Sequence, residues 1–152
     1  MSKIYILFYS EWDGGGGDYT EDIVACRDRT RIEKLKTEME EKSKVIREKI
    51  AVIKKRFDDD VSIWHQKMRP LYSIVSPLNG SKNQEERAKA KSELVGYNKK
   101  ISDLYKIFND AKDKILNEAQ MEYYIEDPDC QVFDIAELEL MEWKNILYVK
   151  QI

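Results

Sequence analysis

DRTRIEKLKTEMEEKSKVIREKIAVIKKRFDDDVSIWHQKMRPL, residues 28–71, decides the fold. It has no glycine, and its only proline is Pro70. Apolar residues recur at Ile32, Leu35, Met39, Ile46, Ile50, Ile53, Phe57, Val61, Trp64, Met68 and Leu71. Nearly every step is three or four residues, which is one apolar seam along a helix. The longer step from Met39 to Ile46 spans two turns, with Lys42 between. At about 1.5 Å per residue the helix would run roughly 65 Å, too long to be wrapped by a chain of 152 residues. It therefore requires a partner helix. Asp28 or Thr30 can cap its start, with Glu33 in capping-box position after Thr30. Pro70 predicts its end near Arg69, because a proline disfavours helical geometry in the residue before it.

The partner follows directly. Residues 73–83 hold Pro77, Asn79, Gly80 and Ser81, a polar turn. A second helix is predicted from Gln84 to Ala119, with a seam at Leu94, Tyr97, Ile101, Leu104, Phe108, Ala111 and Ile115. Two such seams joined by a short connector predict an antiparallel, coiled-coil-like helical hairpin. Gly96 costs this helix about 1 kcal/mol relative to alanine. It marks either a close helix approach or a tolerated exposed position.

Both ends have strand character. Residues 3–10 (KIYILFYS) are β-branched and aromatic with two apolar faces, the pattern of a central strand. Glu11, Trp12 and Asp13 lead into Gly14, Gly15, Gly16 and Gly17, the strongest loop signal in the chain. Residues 22–26 then pair back as a hairpin. After the helices, residues 122–126 read as a strand and 127–129 as a turn. Residues 131–140 alternate in part, with Phe133 and Ile135 on one face and Ala136, Leu138 and Leu140 on the other, leaving room for a bulge or a short turn. Residues 145–152 read as a last strand. The expectation is a single α+β domain: a small, mostly antiparallel sheet from 1–27 and 120–152, with the helical hairpin 28–119 inserted.

Composition bounds the function. Charged residues make up 36% and aromatic residues 11%, with a net charge of -3. A general nucleic-acid binder shows a clear basic excess, so nucleic acid is not the expected partner, although Arg87, Lys89, Lys91, Lys99 and Lys100 form a local basic set. No apolar run is long enough for a membrane span, and the N-terminus lacks a signal-peptide pattern. Two cysteines, Cys26 and Cys130, fit a reducing cytoplasm.

Little chemistry stands out. The glycine loop could offer backbone N–H groups to a phosphate or nucleotide signal. It lacks the lysine and hydroxyl residue of a P-loop, however, and flanking Asp13 and Asp18 repel anions. Its ordinary reading is a hairpin tip. Asp13, Asp18, Glu21 and Asp22 lack EF-hand spacing. His65 is the only histidine, with no catalytic set to join. No enzyme, metal or cofactor is therefore expected. The residues most suited to a partner lie towards the hairpin turn: the acidic run Asp58, Asp59 and Asp60, then Trp64, Met68, Arg69, Leu71 and Tyr72. Aromatic, methionine and arginine side chains are enriched at interfaces. Those same residues could instead simply close the hairpin. A homodimer or higher oligomer is the alternative to a foreign protein partner.

The two ends carry a resemblance. Lys3-Ile4-Tyr5-Ile6-Leu7-Phe8-Tyr9 with Glu11-Trp12-Asp13, Ile23-Val24-Ala25 leading into Arg27-Asp28-Arg29, and Phe133-Asp134-Ile135-Ala136-Glu137-Leu138-Glu139-Leu140 resemble a widespread group of small bacteriophage and prophage accessory proteins. The resemblance covers parts of the two ends, and the long hairpin departs from that group's usual short helix. It brings no catalytic residues. It implies a phage or prophage origin, a place in the cytoplasm of a bacterial host, and an accessory role such as inhibiting a host defence protein.

Overall fold

A computed structural model of the protein describes residues 3–12 and 14–139. The elements run β1 (Lys3–Trp12), β2 (Asp18–Cys26), α1 (Arg29–Val75), α2 (Gln84–Ala119) and β3 (Gln131–Glu139). This is the expected α+β arrangement of an antiparallel sheet and two long helices. The strand predicted over 145–152, and Leu140, lie outside the described residues. The chain divides into two compact units, Met1–Glu48 with Ala119–Ile152, and Lys49–Glu118.

In the first unit the strand order is β2-β1-β3, with both pairings antiparallel. The two-faced apolar strand is therefore central, as its sequence requires. Leu7 and Tyr9 point to one face, where they join Val24, Cys26, Ile32, Ile125 and Phe133 in the main core. Ile4, Ile6 and Ala25 form a second cluster on the opposite face. Leu7 pairs with Val24 but Phe8 pairs with Asp22, so Ile23 is an extra, unpaired residue. That bulge lets consecutive Ile23 and Val24 both pack on the main core. β3 keeps an unbroken register against β1, without the bulge that its sequence allowed.

The start of α1 belongs to this unit because Ile32, Leu35 and Met39 pack on the sheet core. Asp28 is the cap: its Oδ1 accepts from the Arg31 N–H and its carbonyl from the Ile32 N–H. Thr30 lies inside the helix, so Glu33 makes no capping box. It pairs instead with Arg29 at 2.7 Å. Exposed pairs of this kind contribute little, being screened by solvent, whereas each fully buried Leu, Ile or Phe contributes about 1.5–3 kcal/mol. Leu7, Ile32 and Phe133 therefore decide where this part of α1 lies.

The gap in the seam between Met39 and Ile46 is filled by Ser43, which is fully buried, while Lys42 is exposed. Residues 122–126, expected as a strand, are not one. β1 already has a neighbour on each side, so this segment pairs with α1 instead. The Ile125 N–H donates to Ser43 Oγ at 3.1 Å, and the Arg47 guanidinium donates to the Ile125 carbonyl at 2.8 Å. Two side chains one helical turn apart thus satisfy both backbone groups of a buried residue, as a neighbouring strand would.

The second unit is the helical hairpin. Phe57 meets Tyr105 and Phe108 at ring-centroid distances of 4.7 and 5.1 Å, Trp64 meets Tyr97 at 5.5 Å, and Arg87 donates to the Val75 carbonyl at 3.2 Å. Partners move back along α2 as they move forward along α1, so the helices are antiparallel. Val61, Met68, Ala90 and Leu94 are buried. α1 runs past Pro70 to Val75, beyond the end expected at Arg69. A proline removes one helical hydrogen bond, but Met68 is buried and Leu71 and Ile74 half-buried, which holds the last turns in place.

Gly80 closes the turn. Its N–H donates to the Ser76 carbonyl, and a Cβ there would fall 2.5 Å from the Ile74 carbonyl oxygen and closer still to that of Ser76. Asn83 caps α2, its Oδ1 accepting from the Glu85 and Glu86 N–H groups. Gly96 has open space around it, so it marks no close approach.

Candidate functional site

An apolar recess lies on the hairpin. Ile53, Phe57, Leu104, Ile107, Phe108 and Ala111 line a groove of about 340 Å³, with Arg56 and Asp60 also lining it. Ile107 is 64% exposed and Tyr105 52%. The groove exists because the two seams supply more apolar surface than the helices cover between themselves. Ile107 falls outside the three-four alternation of the α2 seam, and that misfit is the sequence signal for it. The seam residues Ile53, Phe57, Leu104 and Phe108 were expected to be closed between the helices. They are instead only half-buried.

The residues singled out from sequence separate into groups. Asp58 and Asp59 are exposed, and Asp58 is held by Lys54 at 2.7 Å. Asp60 is half-buried at the groove. Trp64 is half-buried against Tyr97, with the ammonium groups of Lys67 and Lys100 at 4.5 and 4.3 Å from its ring centroid. Cations over an indole face are attracted by its quadrupole, so this ring is largely engaged within the hairpin. Met68 is 2% exposed and belongs to the hairpin core. Leu71 is half-buried, while Arg69 and Tyr72 are exposed. Only Asp60 among these eight lines the groove.

Gly14, Gly15, Gly16 and Gly17 form the exposed turn between β1 and β2. Gly14 and Gly16 have φ of 71° and 107°, the left-handed region that favours glycine. This geometry is that of a β-hairpin tip, with a strand rather than a helix after it. Asp13 lies outside the described residues. Among the described residues no group of three or more His, Cys, Asp or Glu side chains is placed to hold a metal. His65 is exposed.

Two recesses of about 400 Å³ each flank Lys36, Glu40 and Asp134 in the sheet unit. Lys36 lies 3.7 Å from Glu40 and 3.9 Å from Asp134, so these charges compensate one another. Cys26 is buried. Cys130 is half-buried, and its thiol is held above the ordinary value by a hydrogen bond to Asp127, then by burial and the charges of Asp127, Asp129 and Glu11. A thiol biased towards its protonated form is a poor nucleophile.

No helix among the described residues is long and apolar enough to cross a membrane. In comparisons with protein-family models, curated proteins and solved structures, the chain matches none.

Proposed function

We propose that this chain is a non-catalytic protein-interaction module that docks through its helical hairpin. The observation that carries this reading is the apolar groove lined by Ile53, Phe57, Leu104, Ile107, Phe108 and Ala111, with Ile107 64% exposed at its edge. An apolar recess beside charged groups suits an anchoring side chain from a partner, with polar contacts around it. The resemblance of the two ends to small phage and prophage proteins supports a more specific form: an accessory protein that binds and inhibits a host defence protein in the bacterial cytoplasm.

Ile107→Glu tests the reading. The position is exposed, so the helices should keep their circular-dichroism signal. Partner capture should fall at least about tenfold, because a carboxylate would face an apolar recess. Unchanged capture by a folded Ile107→Glu chain would remove the groove from the docking surface.

A further inference from the structure

We infer that the hairpin's partner is a second copy of this chain, docked antiparallel about a two-fold axis between Phe57 and Asp58. The inference rests on the docking role proposed above and names its occupant. It begins with the charged residues on either side of the seam residue Phe57: Lys54, Lys55 and Arg56 before it, and Asp58, Asp59 and Asp60 after it. Three bases and three acids flank one aromatic residue.

On the outer surface of the same helix, Val52 is 71% exposed and Ile63 52%, and Arg56 and Asp59 are exposed between them. The steps from Val52 to Arg56, Asp59 and Ile63 are four, three and four residues, so the four side chains form one stripe on a helix. Read in either direction, the stripe is apolar, charged, charged, apolar. Reversed and laid against itself, it brings Val52 to Ile63 and Arg56 to Asp59, each pair formed twice. That is the self-complementarity a two-fold interface requires. A parallel pairing in register would instead set Arg56 against Arg56 and Asp59 against Asp59, which is repulsive.

Arg56 and Asp59 have no ion-pair partner among the described residues, whereas the neighbouring Lys54 and Asp58 are already bonded to each other. Arg56 and Asp59 are thus both free to form the pair that the axis would match. Arg56 also lines the groove, so the stripe and the groove belong to one continuous face. The apolar contacts supply attraction, and the charges select the antiparallel register.

Sedimentation of the full chain over a range of concentrations tests this. The wild type should reach twice the mass of one chain. Arg56→Asp and Asp59→Arg should each weaken the dimer about tenfold or more, and the double variant Arg56→Asp with Asp59→Arg should restore it. Arg56→Gln keeps the test if Arg56→Asp loses helicity, and should give a smaller loss. A monomer at every concentration overturns self-docking but leaves docking on a foreign protein to the Ile107→Glu capture experiment. A dimer untouched by the single reversals, or not restored by the swap, overturns the proposed axis.

Discussion

In the sheet unit, α1 faces a core closed by Leu7, Ile32 and Phe133, and its one buried polar side chain, Ser43, is matched to the backbone of Ile125. In the hairpin unit the same helix has a partner of its own kind. There it leaves Val52 and Ile63 exposed, and half-buried Ile53 and Phe57 line an open groove. The first arrangement specifies a unique docking of helix on sheet. The second meets the minimum for pairing two helices and leaves apolar surface over. That excess is why the hairpin is the better candidate for contact with another protein.

The contrast can be broken at its strongest point first. Phe133→Ala should destabilise the sheet unit by about 3–5 kcal/mol, seen as a lower urea midpoint, because Phe133 is 2% exposed in the main core. Truncating exposed Val95 in the hairpin should change the midpoint little. Ser43→Ala comes next. It strands the buried Ile125 N–H, at a cost of about 1–3 kcal/mol, while leaving the seam of α1 intact. If Ser43→Ala were neutral in urea melts, the polar match would not be what specifies the docking.

Gly96→Ala has the opposite sign. The site is open, so the change should stabilise the hairpin by about 1 kcal/mol, read as a higher midpoint. A loss of stability there would mean that the backbone near Gly96 is constrained in some other way.

The smallest effect is confined to alkaline pH. Burial, with the charge of Glu11 and a hydrogen bond to it, pushes the Tyr9 hydroxyl up to about 12. Tyr123 is likewise raised to about 12, chiefly by a hydrogen bond to Glu21. The neutral phenols are favoured in the folded chain, so their contribution is intact below about pH 10, the ordinary tyrosine value. It is lost as pH rises towards 12. Tyr9→Phe should therefore lessen the fall in urea midpoint over that window and leave the midpoint's pH dependence near neutrality unchanged.

Much of this fold was legible in the sequence. Seam periodicity revealed both helices, and the two apolar faces of residues 3–10 marked a central strand. The misses share a cause, in that each depends on a contact far away in the chain. Ser43 reads as a polar interruption until Ile125 supplies its hydrogen bond. Residues 122–126 have strand composition, but β2 and β3 already occupy both sides of β1. Pro70 reads as a stop, yet burial of Met68 and the half-buried Leu71 and Ile74 carry α1 onward. The candidate site was less visible. The eight residues chosen near the turn include Met68, which is buried, and Trp64, which is largely engaged with Tyr97, Lys67 and Lys100. The groove instead arises from seam residues that fail to close, and Ile107 was its one local sign.

Hydroxyl-radical footprinting of the free and bound states compares the two units in one measurement. Binding, whether by a second copy or by a foreign protein, should protect Ile107, Tyr105 and Ile63 while leaving Val132 and Tyr19 in the sheet unit unchanged. Protection confined to the sheet unit, with the hairpin residues as reactive as before, would contradict docking through the hairpin.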